Sequence, residues 1–479
     1  MTFSSSCSVS GLASFSETPV TTATGQAQTE YTAFGCSGDD VVTATLIGNA
    51  ATATVTLTIS PNQALSVIYD SATKTLVALG GQDTSELTFK VLGAGGEPVI
   101  GEDVTFSIGS APAGVTILTG RDTDTTDTNG AVTTVIKSGT FQGTVSVIAT
   151  HDASGLQGTS EDIVISTGVP DAAFFSLSSS AGNPAGAFNT DGVEVSFAII
   201  ASDQFGNNPV DGTRISFVSP EAGNIANSCE LIDGVCSVVW RSSATRPADL
   251  RVEIIAYTDG AENFFDSNGN AVFDAADASW TDLPEPYADE NENGTYDIGE
   301  YFVDLDLDGV RDTTANGSWD GPCLSDVDAS ALCDGLDSTI ISESRTIVMS
   351  TNSARLFNTG TFGAAGSTIT LTQGSSGSRG GLFISDSNSN ADTLGGNPMP
   401  VGTTISFGVE GGGGVSLIGN TSWTVGSTTS PSGSYGVTYS AAAAALASDL
   451  PSPQPTLVLT VTAPSGDISE FVWPFNVTL

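Results

Sequence analysis

Histidine is almost missing from this chain of 479 residues; His151 is the only one. A Ser-His-Asp or Cys-His catalytic site is therefore excluded everywhere except around His151, which sits in the turn-like stretch HDASG and reads as a solvent-facing turn residue. Basic residues are scarce as well. Twelve Lys and Arg stand against 54 Asp and Glu, a formal net charge of −42. A surface so negative repels nucleic acid and anionic lipid headgroups, and it suits divalent cations. No run of about 18 apolar residues occurs, so no segment reads as a helix that spans a bilayer. There is no CxxC, which together with the single histidine argues against zinc. GxSxG is absent, and the glycine run at 411–414 lacks the lysine of a phosphate-binding loop. The first residues, MTFSSSCSVSGLASF, have neither a basic start nor an apolar core and are not a signal peptide. An export signal is then expected upstream, unless Met1 is an artificial start. Aromatic residues make up 7%, few for a sugar-binding cleft, so a carboxylate-based hydrolase is the weakest of the functional readings.

What is present is β-sheet patterning. Helical periodicity is nearly absent, while two-residue alternation recurs in TATVTLTI, VTFSI, TVSVIAT, VEVSFAII, RVEIIAYT and TLVLTVT, punctuated by NG, DG, GN and SPSG. This is the pattern of antiparallel sandwiches, in a chain long enough for three or four domains. AAAAALASDL (441–450) is the one helix-friendly stretch and predicts a single turn of helix. The six cysteines fall into three close pairs, Cys7/Cys36, Cys229/Cys236 and Cys323/Cys333. Even count and local pairing predict disulfides and an oxidising compartment rather than buried thiols. CELIDGVC places an Asp-Gly turn between two β-prone arms, which predicts a cross-strand disulfide on a hairpin.

A repeat runs through the chain. VLGAGGEPVIGEDVTFSI (91–108), DQFGNNPVDGTRISFVS (203–219) and DSNSNADTLGGNPMPVGTTISFGV (386–409) share a Gly/Asn/Pro loop followed by Gly-x-x-(Val/Ile)-(Thr/Ser)-Phe. The anchors are Gly101/Val104/Phe106, Gly212/Ile215/Phe217 and Gly402/Ile405/Phe407. A second turn and strand follow each copy, at 127–136, 232–240 and 430–439. This grammar resembles the bacterial immunoglobulin-like domain of group 1, the type found in invasins, intimins and related surface proteins. The resemblance implies an all-β array of tandem immunoglobulin-like sandwiches over 61–168, 169–352 and 353–479. Residues 1–60 look like the C-terminal half of one more such domain. Either upstream residues or strands of another chain would complete that half-sandwich, and the second case gives self-association into a filament. The family implies an exposed rod holding an adhesive part away from the cell, and offers no shared catalytic site.

The middle copy is about 180 residues long where roughly 100 is usual. Its surplus lies between RVEIIAYT (251–258) and STIISESRTIVMS (338–350), at about 259–337, and 19 of the 54 acidic residues fall in 262–334. Within it, Asp289, Asn291, Asn293, Gly294, Thr295, Asp297 and Glu300 occupy positions 1, 3, 5, 6, 7, 9 and 12 of a calcium loop. Calcium takes six to eight oxygens; alternate side chains of a tight turn, the Thr295 carbonyl and a bidentate Glu300 supply them. Two neighbours repeat the pattern. Asp266, Asn268, Asn270, Val272, Asp274 and Asp277 have the oxygens but Ala271 at the glycine position. Asp304, Asp306, Asp308, Val310 and Asp312 have Gly309 but Ala315 at position 12, so that loop requires a ligand from elsewhere, with Asp320, Asp326 and Asp328 as the nearest downstream acids. An aromatic residue stands two places before each first Asp: Phe264, Tyr287 and Phe302. Pro284 and Pro286 deny the loops helical flanks, so they resemble dockerin-type or other extracellular calcium loops more than a sensor pair. The expected function is an extracellular, calcium-stabilised structural or adhesive rod of a bacterial surface or surface filament, with no enzymatic activity. The alternative is a calcium-dependent module that grips a glycan or cell-surface receptor.

Overall fold

The computed structural model describes residues 1–21, 24–33, 35–60, 63–74, 76–78, 83–139, 141–269, 273–277, 279–322, 338–388, 396–431, 433–443 and 451–479. Cys323, Cys333, Asn270, Val272, Asp326, Asp328 and most of the alanine-rich stretch fall outside them. The chain divides into two compact units, one made of Met1–Gly168 together with Asp266–Ala276, and one made chiefly of the other residues from Val169 onward.

In the first unit, Thr2–Ser4, Gly38–Thr45 and Thr52–Ile59 form an antiparallel sheet, and Ala13–Phe15 pairs with Tyr31–Ala33. The turn of helix Ser6–Val9 is held by a reciprocal capping box between Ser5 and Ser8, and Cys7 and Cys36 are disulfide-bonded. Asp40 is buried beneath them. Burial pushes its carboxyl up, but hydrogen bonds from the hydroxyls of Ser5, Ser6 and Tyr31 and the Cys7 N–H more than offset this and hold it below its ordinary range. The edge strand Thr52–Ile59 leaves Val55 56% exposed.

A sandwich follows. One sheet orders Thr116–Ile117, Ala131–Lys137, Thr84–Leu92 and Ser66–Ala72. The other orders Thr123–Thr125, Asp103–Ser110, Gly143–His151, Ile163–Ser166 and Leu76–Ala78, the last pair parallel. TSELTFKVL alternates strictly, so Leu87, Phe89 and Val91 enter the core to meet Val104, Phe106, Val145, Val147 and Ala149. Each such side chain contributes about 1.5–3 kcal/mol by leaving water. His151 is buried at the end of its strand, not solvent-facing: Nδ1 lies 2.7 Å from Ser154 Oγ and Nε2 3.4 Å from Glu102. The strand alternation carries it inward one residue before the turn begins.

The second unit holds two more sandwiches. In the first, Phe175–Ser179, Glu194–Ala201, Val235–Arg241 and Asn224–Ile225 form one sheet, and Ser228–Glu230, Arg214–Val218, Arg251–Gly260 and Thr339–Val348 the other. In the second, Ala354–Asn358, Ser376–Asp386, Tyr435–Ala441 and Val415–Ile418 face Ile369–Thr372, Ile468–Thr478, Thr456–Thr462, Thr404–Glu410 and Ser422–Thr424. Trp240 anchors one core and Trp473 the other. The fold is all-β, a tandem of immunoglobulin-like sandwiches, as the alternation and the repeat predict.

The repeat has a shared physical basis. Gly101, Gly212 and Gly402 all have left-handed φ (76°, 88° and 86°), where a side chain is strained. Their N–H groups donate to Thr126, Leu231 and Val425 carbonyls at 2.9, 2.8 and 2.9 Å. Phe106, Phe217 and Phe407 then donate to Asp122, Asn227 and Thr421 while their rings enter the three cores.

The Cys229–Cys236 disulfide departs from the hairpin expectation. Asp233 and Gly234 do form the left-handed turn, but Cys229 belongs to one sheet and Cys236 to the other. The bond staples the two layers of the sandwich instead of two neighbouring strands, because the turn carries the chain across the core.

Candidate metal centre

Arg251–Gly260 and Thr339–Val348 are antiparallel neighbours over ten residue pairs, from Arg251↔Val348 to Gly260↔Thr339. The acidic segment therefore leaves and re-enters at one end of a two-strand ladder. It is poor in regular structure and is organised by carboxylates binding backbone N–H groups.

The central loop is the most complete. Asp289 accepts from the N–H of Asn293 (3.0 Å) and of Gly294 (2.7 Å). Asn293 Oδ1 accepts from the Thr295 N–H at 2.7 Å, and Asp297 Oδ2 accepts from the amides of Asn291 (2.7 Å) and Asn293 (2.6 Å). Glu300 reaches back so that Oε2 accepts from the Asp297 N–H at 2.8 Å. Its other oxygen, Oε1, is buried and has no hydrogen-bond partner, on a residue only 8% exposed. Burying a carboxylate oxygen unpaired is costly unless something else binds it. Gly294, at φ 81°, makes the turn that lets these side chains share one centre.

The third loop reproduces this geometry with one replacement. Gly309 N–H donates to Asp304 (2.9 Å) and Val310 N–H to Asp308 (2.7 Å), matching Gly294 and Thr295. The N–H of Asp312, at position 9, donates at 2.8 Å to Glu285 Oε2, as that of Asp297 does to Glu300. Glu285 is buried, and its Oε1 accepts from the Leu305 N–H at 2.6 Å. It lies upstream of the loop and was not singled out from the sequence. One carboxylate oxygen each from Glu285, Asp304 and Asp306 fall within 4.8 Å of one another, and Asp304 Oδ1 is buried without a hydrogen-bond partner. The Asp308 N–H holds the Asp306 carboxyl down, but desolvation and the like charges of Asp308, Asp312 and Asp304 outweigh it and raise it. Such crowding is what a bound cation relieves.

In the first loop, Asp266 Oδ1 accepts from the Gly269 N–H (2.7 Å) and Asp274 Oδ2 from the Asn268 amide (2.9 Å). Asp277 is buried. A further, split copy of the hydrogen-bond pattern escaped the sequence reading. Gly317 N–H donates to Asp282 (2.9 Å), Ser318 N–H to Asn316 (2.8 Å), and the Asn316 amide to Asp320 (3.0 Å). Asp320 N–H donates to Glu262 Oε2 (3.1 Å), whose Oε1 accepts from the Leu283 N–H (2.6 Å). Glu262 is fully buried, and burial, with the charges of Asp320 and Asp282, pushes its carboxyl up to about 7 against those two N–H bonds.

The aromatic residues that precede the loops pack the insertion. Phe264 lies edge-on to Trp319 at 5.5 Å. Tyr296 packs between Tyr287 (5.7 Å) and Phe302 (5.9 Å), and Arg311 stacks over Tyr287 at 4.4 Å.

No protein-family profile and no curated protein matches the chain. Among solved structures it is similar to the Escherichia coli adhesin FdeC, at 14% identity over 86% of this chain and 96% of that one, with a TM-score of 0.26. It is similar to Yersinia pseudotuberculosis InvD at 14% identity, covering 85% of this chain and 96% of that one, with a TM-score of 0.27. Invasin, a bacterial integrin-binding protein, matches at 14% identity over 86% of this chain and 60% of that one, with a TM-score of 0.23. At such identities and scores these likenesses add nothing to the fold read from the sheets themselves. Among the described residues, no helix is long and apolar enough to cross a membrane.

Proposed function

We propose that the chain is an extracellular, calcium-stabilised structural or adhesive rod of a bacterial surface, and that the acidic insertion of 169–352 is its metal-binding part. The observation that carries the calcium reading is Glu300 Oε1, buried and unpartnered at the closing position of a loop where Asp289, Asn291, Asn293 and Asp297 converge. A cation replaces the amide donors on Asp297 once Asn291 and Asn293 turn their oxygens inward, and it takes the idle oxygen of Glu300. Oxygen-only donors and the glycine turn suit calcium over softer metals. The third loop takes a separate calcium ion with Glu285 as its closing ligand, and Asp266, Asn268, Asn270, Val272, Asp274 and Asp277 are assigned to a further ion on their sequence spacing alone. Weak sites of this kind, with Kd of about 10⁻⁴–10⁻³ M, stay largely filled at the calcium levels outside cells. The role is constitutive: metal folds a segment with too few apolar residues to fold alone. The inter-sheet disulfide and the Cys7–Cys36 bond support an oxidising setting, and we assign Cys323 and Cys333 to a third bond of the same kind. Calcium titration calorimetry of the full chain tests the reading. Heat at millimolar calcium and a chelator-sensitive melting transition support it; an absence of both overturns it.

A binding role on the same insertion has one observation in its favour. A cleft of about 380 Å³ opens beside the third loop, lined by Leu283, Pro284, Tyr287, Arg311 and Glu343. A glycan array with and without calcium decides whether it takes a sugar.

A further inference from the structure

We infer that calcium in the central loop sets the stiffness of the joint between the second and third sandwiches, and that the Glu292–Arg251 ion pair transmits it. The inference rests on the calcium reading of that loop.

The joint is polar and well defined. Asn183 and Asn397 are both fully buried in it. The Asn183 amide donates to the Met399 carbonyl (2.7 Å) and accepts from the Thr428 N–H (3.0 Å), while the Val401 N–H donates to the Asn183 carbonyl (2.9 Å). The Asn397 amide donates to the Asp249 carbonyl at 2.7 Å. Such contacts hold only in one relative placement of the two sandwiches, because a buried amide that loses its partner costs free energy and gains no water in return.

Arg251 joins this lock to the metal loop. It opens the strand Arg251–Gly260, and its side chain is only 12% exposed. One edge of the guanidinium grips Glu292 bidentately, Nε to Oε1 at 2.6 Å and Nη2 to Oε2 at 2.8 Å. The remaining Nη1 donates to Asn397 Oδ1 (3.1 Å) and the Thr429 carbonyl (3.0 Å) across the joint. A planar fork cannot hold both sets of partners unless both stand still.

Glu292 stands at position 4 of the central loop, between the ligand residues Asn291 and Asn293, with a left-handed φ of 56°. A non-glycine residue keeps that backbone only where its neighbours fix it. Ligation on both sides fixes it. Release of the metal frees the loop to relax, so Glu292 leaves Arg251 and the guanidinium loses half of its hold. The coupling is then a shared equilibrium: what binds the loop favours the locked joint.

Hydrogen exchange on the full chain, read alongside calcium calorimetry on the same samples, tests this. Chelation should speed exchange of the joint amides of Gly182, Val401 and Thr428 about tenfold, the mid-range of site-to-site coupling. Glu292→Gln keeps every proposed ligand, so it should bind the same number of calcium ions while its joint amides exchange fast with or without calcium. Arg251→Lys, a milder change than truncation, should give an intermediate response. If the native chain binds calcium yet these amides exchange equally in calcium and chelator, the joint inference is overturned and the calcium reading stands. A calcium response retained in Glu292→Gln overturns the Arg251 relay as well. If calorimetry shows no calcium bound, the metal reading fails first and takes this inference with it.

Discussion

The central loop, 289–300, and the third loop, 304–312, start alike and finish differently. Both begin with an aspartate that holds the glycine N–H, and both place a carboxylate or amide oxygen on the N–H of position 7. The central loop ends on its own Glu300. The third has no acid at that place and is closed by Glu285, which reaches the position-9 N–H at the same 2.8 Å. Chain continuity is therefore not what makes such a site; the position of one carboxylate against one N–H is. The central loop is closed from within its own twelve residues, whereas the third is closed by a residue from outside it, held there by the N–H groups of Leu305 and Asp312 on its carboxylate and by Arg311 Nε on its carbonyl.

The largest effect expected from this comparison is that of removing metal from both loops at once. At calcium about tenfold above Kd, each filled site adds about 1.4 kcal/mol, so emptying these two loops should cost about 3 kcal/mol, and chelation, which also empties the first loop, about 4 kcal/mol in all. Calorimetric melting should show one transition falling by several degrees while the first sandwich is untouched. Uniform shifts in every transition would contradict a local metal role. The inter-sheet disulfide supplies a contrast that owes nothing to metal. Replacing Cys229 and Cys236 by Ala should destabilise the same sandwich by about 2 kcal/mol in calcium and in chelator alike, and non-reducing mass spectrometry should find no free thiol, Cys323 and Cys333 included.

A smaller effect separates the two loops by charge. Burial pushes the Glu221 carboxyl up to about 7 against a hydrogen bond from the Glu253 N–H, with Glu290 of the central loop the like charge that adds most, ahead of Asp249 and Glu253. A carboxyl raised in the folded state stabilises it fully below the unfolded value near 4.5. That contribution is lost as pH rises to about 7 and beyond. Glu221→Gln should therefore flatten the fall in stability between pH 5 and 7, by about 1 kcal/mol after solvent screening. The slope in the native chain should be shallower in calcium, since a cation in the central loop offsets Glu290. Equal slopes in calcium and chelator would break the link. The smallest effect concerns assembly. With Val55 and its edge strand exposed, light scattering should show weak, concentration-dependent association that vanishes when residues 1–60 are deleted. A monomer in both forms would remove self-association from the account.

The architecture was legible because its signals are local. Alternation in TSELTFKVL or TLVLTVT needs no knowledge of the partner strand, and Gly-x-x-(Val/Ile)-x-Phe repeats because each copy meets the same backbone demand. Relations between distant segments were not legible. The Asp-Gly turn was visible in CELIDGVC, but not that it crosses from one sheet to the other. His151 looked like a turn residue because burial at a strand end depends on what packs above it. In the acidic insertion, Asp289 to Glu300 follow one another and could be read in order. Glu285 precedes its loop, and Asp282 and Glu262 stand 34 and 54 residues before the Asn316 that completes their pattern, so no spacing rule reaches them.

The most direct test of the comparison is calcium stoichiometry by calorimetry in Glu300→Gln, Glu285→Gln and the double variant, each checked for folding by a cooperative melting transition of its second sandwich. The account predicts that each single change removes one ion, or weakens it at least tenfold, that the two act on different ions, and that the double variant loses both. A Glu285→Gln protein that binds as many ions as the native chain, with the same affinities, would show that the third loop is not closed by Glu285 and would contradict the central claim.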